Sequence, residues 1–114
     1  MSIREAEAAR HAEEKGAILL ALKHTYASEM TSVRALWRQL DMLGHPMRPE
    51  GIEFALVYLA ERGYIQIWRA RELPGWREDR QMEQAPDRIV FARLKPEGLL
   101  LVDGDVQADP KVIF

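Results

Sequence analysis

Apolar positions along the chain change rhythm after the third predicted helix. They recur at helical spacing up to about Gly63, and at a spacing of two in the stretches YIQIWRA and RIVFARL that follow, before a last short helix. Ser2 and Glu5 stand in capping-box register, so a helix begins at the N-terminus. From Ile3 to Gly16 that helix is rich in alanine and glutamate and poor in apolar bulk. From Ala17 onward Ile18, Leu19, Leu22 and Tyr26 recur on one face. The pattern predicts one long helix ending near Tyr26 or Ala27, with residues 1–16 as an extension beyond the core.

The stretch TSVRALWRQLDMLG reads as a second helix. Thr31 or Ser32 can cap it, and Gly44 supplies a left-handed stop. Val33, Leu36, Trp37, Leu40 and Leu43 fall on one face. HPMRPEGIEFALVYLAERG follows as a turn and a third helix. Pro49 suits its first position, Glu50 suits its positive end, and Gly63 closes it. Ile52, Leu56, Leu59 and Ala60 form the expected buried stripe. YIQIWRA and RIVFARL then alternate as two strands of an antiparallel hairpin. Ile65 and Ile67 share one face of the first strand. In the second, Val90, Ala92 and Leu94 oppose Ile89, Phe91 and Arg93. KPEGLLLVDG forms a short closing helix from Pro96 to Gly104, and DVQADPKVIF reads as an extended tail. The expected organisation is one domain over 1–114, with a core at 17–104 and a tail at 105–114. The fold class is α+β and mostly helical.

Composition narrows the class of protein. The chain has 114 residues, 47% hydrophobic and 30% charged, as a single soluble domain requires. No apolar run reaches the roughly 18 residues that a membrane helix needs. The N-terminus is charged and helix-prone, unlike a secretory signal. With no cysteine, disulfides and thiolate metal sites are excluded. The expected location is the cytoplasm of a bacterial or phage-infected cell, with no membrane partner. Net charge is −2. A dedicated nucleic-acid domain is usually basic, with a pI above roughly 9. Global charge therefore opposes strong non-specific DNA binding and leaves room for a local basic patch.

Three helices, a hairpin and a closing helix give the element order of a winged helix-turn-helix domain. LAERGYIQI resembles the end of a recognition helix running into the first wing strand. ARLKPEGLLLVDG is similar to the second wing strand and closing helix of winged-helix regulators, with Lys95 where that family most often has threonine. The tail segment Ala108-Asp109-Pro110-Lys111-Val112 and the stretch DMLGHPMRPEGIEFALVYLAERGYI resemble small winged-helix proteins of Mu-like phages and prophages. The resemblance implies a DNA-binding transcriptional regulator acting as a homodimer on double-stranded DNA. A winged-helix module that binds protein and not DNA is the alternative.

Candidate site residues follow both readings. The third helix sets Glu50, Glu53 and Glu61 against a single Arg62, which repels phosphates; among base edges glutamate reads only the cytosine amino group. Its expected outer face also carries Phe54, Val57 and Tyr58, which meet a protein partner, belong to the core or read DNA. The connection from Arg69 to Arg88 holds five arginines, balanced by Glu72, Glu78, Asp79, Glu83 and Asp87. Arg71, Arg77 and Arg80 of this loop, with Arg34, Arg38 and Arg48, are the candidate phosphate contacts. Leu73 and Trp76 flank Pro74-Gly75 and can dock on the domain or on a partner. Ile3, Ala6, Ala9 and Ala12 make a small-residue strip along which a second copy can approach. No enzyme is expected. His11, His24 and His45 lack metal-ligand spacing, no phosphate-binding glycine loop occurs, and Asp103, Asp105 and Asp109 do not follow a calcium-hand pattern. No cofactor is implied.

Overall fold

The computed structural model describes residues 2–25, 30–75 and 86–114. Chain order is α1 (Ile3–Lys23), β1 (Thr31–Ser32), α2 (Val33–Met42), α3 (Pro49–Glu61), β2 (Ile65–Arg69), β3 (Ile89–Leu94) and α4 (Pro96–Asp103). The fold is α+β and mostly helical. Among the described residues four α-helices pack around a small antiparallel sheet of order β1-β3-β2.

Local sequence explains the element ends. The Ser2 hydroxyl accepts from the Glu5 amide at 3.1 Å and starts α1. α1 stops at Lys23, three residues short of the expected end, with His24 as its C-cap. Tyr26 and Ala27 lie outside the described residues. Ser32 ends β1 and caps α2, accepting from the Ala35 amide at 3.1 Å. Thr25 and Thr31 join their hydroxyls at 2.8 Å, tying the end of α1 to β1. Between α2 and α3 the Trp37 indole donates to the Met47 carbonyl at 2.6 Å. Trp37 is therefore set at the edge of the core, 42% exposed, whereas Leu36 and Leu40 on the same helix are fully buried. α3 opens on Pro49 and closes at Gly63, whose φ of +80° disfavours any residue with a side chain.

The core joins the second half of α1 (Ile18, Leu19, Leu22) to Leu56 and Leu59 of α3 and to the inner faces of α2 and the sheet. Each fully buried leucine or isoleucine contributes about 1.5–3 kcal/mol over its exposed state. In the hairpin, Ile65 faces Leu94 and Ile67 faces Ala92. The register then slips between Trp68 and Arg69, so that Arg69 pairs with Ile89 and Val90 is the extra residue. This bulge buries Ile89 and Val90 together, where strict alternation expects them on opposite faces.

The tail departs most from expectation. It lies along α1 and α3, and Val112 belongs to the core cluster. The Ile113 amide donates to the Ala12 carbonyl at 3.0 Å, and Val112 donates to Asp109 at 3.0 Å, closing a turn over Pro110 and Lys111. Beneath it, Ala12, Lys15 and Gly16 of α1 are buried. The boundaries expected at 17 and 104 thus do not mark the edges of the packed body. Parts of both flanking segments are inside it.

Candidate functional site

Two surfaces hold most of the described residues that sequence reasoning singled out, and a buried cluster joins one of them, Tyr58, to others. The first surface is the side of α3 turned away from the core. Ile52, Ala55, Leu56 and Leu59 face inward, which turns Glu50, Phe54 and Glu61 outward. Phe54 is 71% exposed, a large aromatic group standing in solvent. Val57 and Tyr58, expected beside it, are half-buried and packed against the core. Glu53 is not free either: its carboxylate accepts from the Ile89 amide at 3.2 Å, locking α3 to the start of β3.

The second surface is basic. Arg34 and Arg38 are exposed, one turn apart on α2, and Arg48 is exposed at the N-cap of α3. Arg71 stands at the base of the hairpin loop. It pairs with Asp87 at 2.7 Å, both groups being exposed. Such a pair is worth about 0–1 kcal/mol, so Arg71 can exchange partners at little cost. Around it the hairpin ladder continues past β2 and β3, through Ala70 to Arg88 at 2.9 Å and Arg71 to Pro86 at 3.0 Å. The Arg69 guanidinium donates to the Asp87 carbonyl at 2.6 Å. Trp76, Arg77 and Arg80 lie outside the described residues.

The cluster centres on Asp109, which is only 5% exposed. Its carboxylate accepts from the Tyr64 hydroxyl at 2.9 Å, the Tyr58 hydroxyl at 3.2 Å and the Lys111 amide at 2.9 Å. Arg62 Nε lies 3.5 Å away. Burial alone pushes the carboxyl upward, but the Lys111 amide, the two hydroxyls and Arg62 outweigh it and hold the group below its ordinary range. Burial, followed by the Asp109 charge and hydrogen bond, raises Tyr58. Tyr64 is raised by burial and by the same hydrogen bond. Both hydroxyls stay protonated at neutral pH and act as donors. Above the Tyr58 ring sits the Lys15 ammonium, 4.1 Å from the centroid.

Sequence reasoning did not place Asp109, Tyr64 or Lys15 in a site. One local signal was available: an aspartate before Pro-Lys can accept from the amide two residues on, and Asp109 does so. That it would then meet α3 from a distance of some fifty positions had no signature in the chain.

Among the described residues no group of three or more His, Asp or Glu side chains gathers as metal ligands, and no helix is long and apolar enough to cross a membrane. Compared with known proteins, the chain matches no family model, no curated protein and no solved structure.

Proposed function

We propose that this chain is a winged-helix module that acts by docking another protein on the outer face of α3. The element order supports the winged-helix reading: β1 between the first two helices, two further strands after α3, and β1 paired on β3. One observation carries the interaction reading. The helix that would enter a DNA groove turns Glu50, Phe54 and Glu61 outward and carries no cation between Pro49 and Glu61; of the arginines at its two ends, Arg62 pairs with Asp109 and Arg48 is exposed. An exposed aromatic ring flanked by carboxylates matches a protein interface and repels phosphate.

A second reading keeps the DNA-binding regulator of phage or prophage type, working as a homodimer on double-stranded DNA. It is favoured by Arg34, Arg38 and Arg48, all exposed and none in an ion pair with a described residue. Fluorescence anisotropy of a random mixed-sequence duplex over a salt series separates the two, because non-specific DNA binding is electrostatic and needs no operator. The interaction reading expects no binding at low salt. Micromolar binding that falls steeply with salt, and loses slope in an Arg34→Ala, Arg38→Ala variant, overturns it in favour of DNA.

A further inference from the structure

Where the tail crosses α1 it leaves an open groove of about 350 Å³. Ala8, Ala9 and Ala12 of α1, Phe54 of α3 and Ile113 of the tail make its lining largely apolar. The short side chains of Ala8, Ala9 and Ala12 leave the space, with His11 and Lys15 of the same helix also lining it. The volume is at the low end of the roughly 300–1,000 Å³ of ligand sites, enough for a few side chains.

Charge at the groove is not balanced. Lys15 and Lys111 both line it, and both stand over the Tyr58 ring, at 4.1 and 5.9 Å from its centroid. Among the described residues no carboxylate lines the groove; Asp109 already accepts from two hydroxyls and an amide beside Arg62, and Glu50 and Glu61 stand beyond Phe54 on the outer face of α3. Glu14, the next carboxylate, is held by Arg10 at 3.8 Å and touched by His11 at 3.4 Å. Neither lysine is in an ion pair with a described residue.

We propose that this groove docks an acidic peptide segment of a protein partner. One large apolar side chain of the segment lies on the alanines against Phe54, and a neighbouring carboxylate pairs with Lys111 and Lys15. The proposal rests on the interaction reading and deepens it, because Phe54 belongs both to the groove and to the outer face of α3. It also explains an energetic tension. Burial, and after it the charge of Lys111, lowers the pKa of Lys15 against the opposing charges of Asp109 and Glu14, and an arriving carboxylate offsets the repulsion between the two lysines.

Selection of a random-sequence peptide library on the whole chain tests the proposal, followed by affinity measurements with the selected peptides. Peptides with a bulky apolar residue beside Asp or Glu are expected to dominate. Lys111→Gln and Phe54→Ser should each weaken them about tenfold, the scale of one charge-assisted contact or one interface anchor. Both positions are exposed, so unchanged thermal midpoints confirm the fold. Peptides with their acids replaced by amides should bind weakly and lose nothing more on Lys111→Gln. Selected peptides without acids, or indifferent to Lys111, overturn the groove. If these respond to Glu50→Gln and Glu61→Gln, α3 is still an interaction face and only the groove is refuted. Peptides indifferent to every one of these positions, or no enrichment at all, overturn both readings.

Discussion

Asp109 sits among four donors in a place nearly closed to water, so removing it leaves those donors facing one another. Asp109→Ala should destabilise the fold by about 1–3 kcal/mol, the cost of orphaned buried polar groups, measured as a lower urea midpoint. Because the folded carboxyl titrates below its unfolded value, its contribution is complete above about pH 4 and is lost as pH falls through the folded pKa. Asp109→Asn should accordingly flatten the acid limb of a stability-against-pH curve and leave its slope near neutrality unchanged. An unaltered acid limb would place the acid sensitivity elsewhere. Two glycines make a second contrast. A Cβ at Gly16 collides with the Ile113 carbonyl, whereas one at Gly51 meets open space on α3. Gly16→Ala should cost about 1–3 kcal/mol by pushing the tail outward, and Gly51→Ala should gain about 0.5–1 kcal/mol from helix propensity. Thermal melts of the two variants check both signs. Such close approaches are invisible in a sequence, because Gly16 and Ile113 are distant along the chain and neither belongs to a recognisable turn motif.

Among the elements, legibility followed length and periodicity. The inward positions Leu36 and Leu40 of α2, Ile52, Leu56 and Leu59 of α3, and Ile65, Ala92 and Leu94 of the hairpin could be read from spacing; Trp37 and Leu43, expected on the same face of α2, are exposed, and the bulge buries Ile89 against the alternation. β1 could not be read. It has two residues, Thr31 and Ser32, and exists only because β3 offers Phe91 and Ala92 to pair with. The tail was legible as non-helical, but its docking was not. One apolar residue, Val112, carries its burial, and the rest of its attachment is polar. For the site, the exposed positions of Phe54, Arg34 and Arg38 were readable from helix faces, and that of Arg48 from its place ahead of α3. Tyr58 was not, because a half-buried aromatic becomes interface or core according to what crosses it, and here Asp109 does. The tail's weight can be measured directly. A chain ending at Gly104 gives up the burial of Val112, about 1.5–3 kcal/mol, and the hydrogen bonds to Asp109 and Ala12, each worth about 1 kcal/mol net. We expect a shortened chain that stays folded with a clearly lower urea midpoint. A midpoint within error of the full chain would make the tail a passive appendage.

At the scale of the molecule, these contacts bear on whether the chain unfolds in parts. The N-terminal half of α1 has little apolar bulk of its own, and the tail has one buried aliphatic side chain, so neither is stable alone. Each is held by the other: Ala12 accepts from Ile113, Gly16 lies under it, and Lys15 and Asp109 meet α3 through Tyr58. Because α1 continues without a break into the core helix, loosening the tail removes cover from Ile18 and Leu19's own helix. One cooperative transition is therefore expected, with fluorescence of the tryptophans and far-ultraviolet dichroism falling together. Native-state hydrogen exchange gives the sharper measurement. If the tail frays independently, the Val112 and Ile113 amides exchange by local opening, far faster than Leu59 at the centre of α3. If the tail is integral, as the buried Asp109 and the Ile113–Ala12 bond argue, both amides are protected well above the exposed positions 105–108, and Asp109→Ala lowers their protection more than it lowers that of Leu59. That pattern would make the seam between tail and α1 the weakest part of a single folding unit. The groove lies on this seam, so a peptide bound there should raise protection first at Ile113.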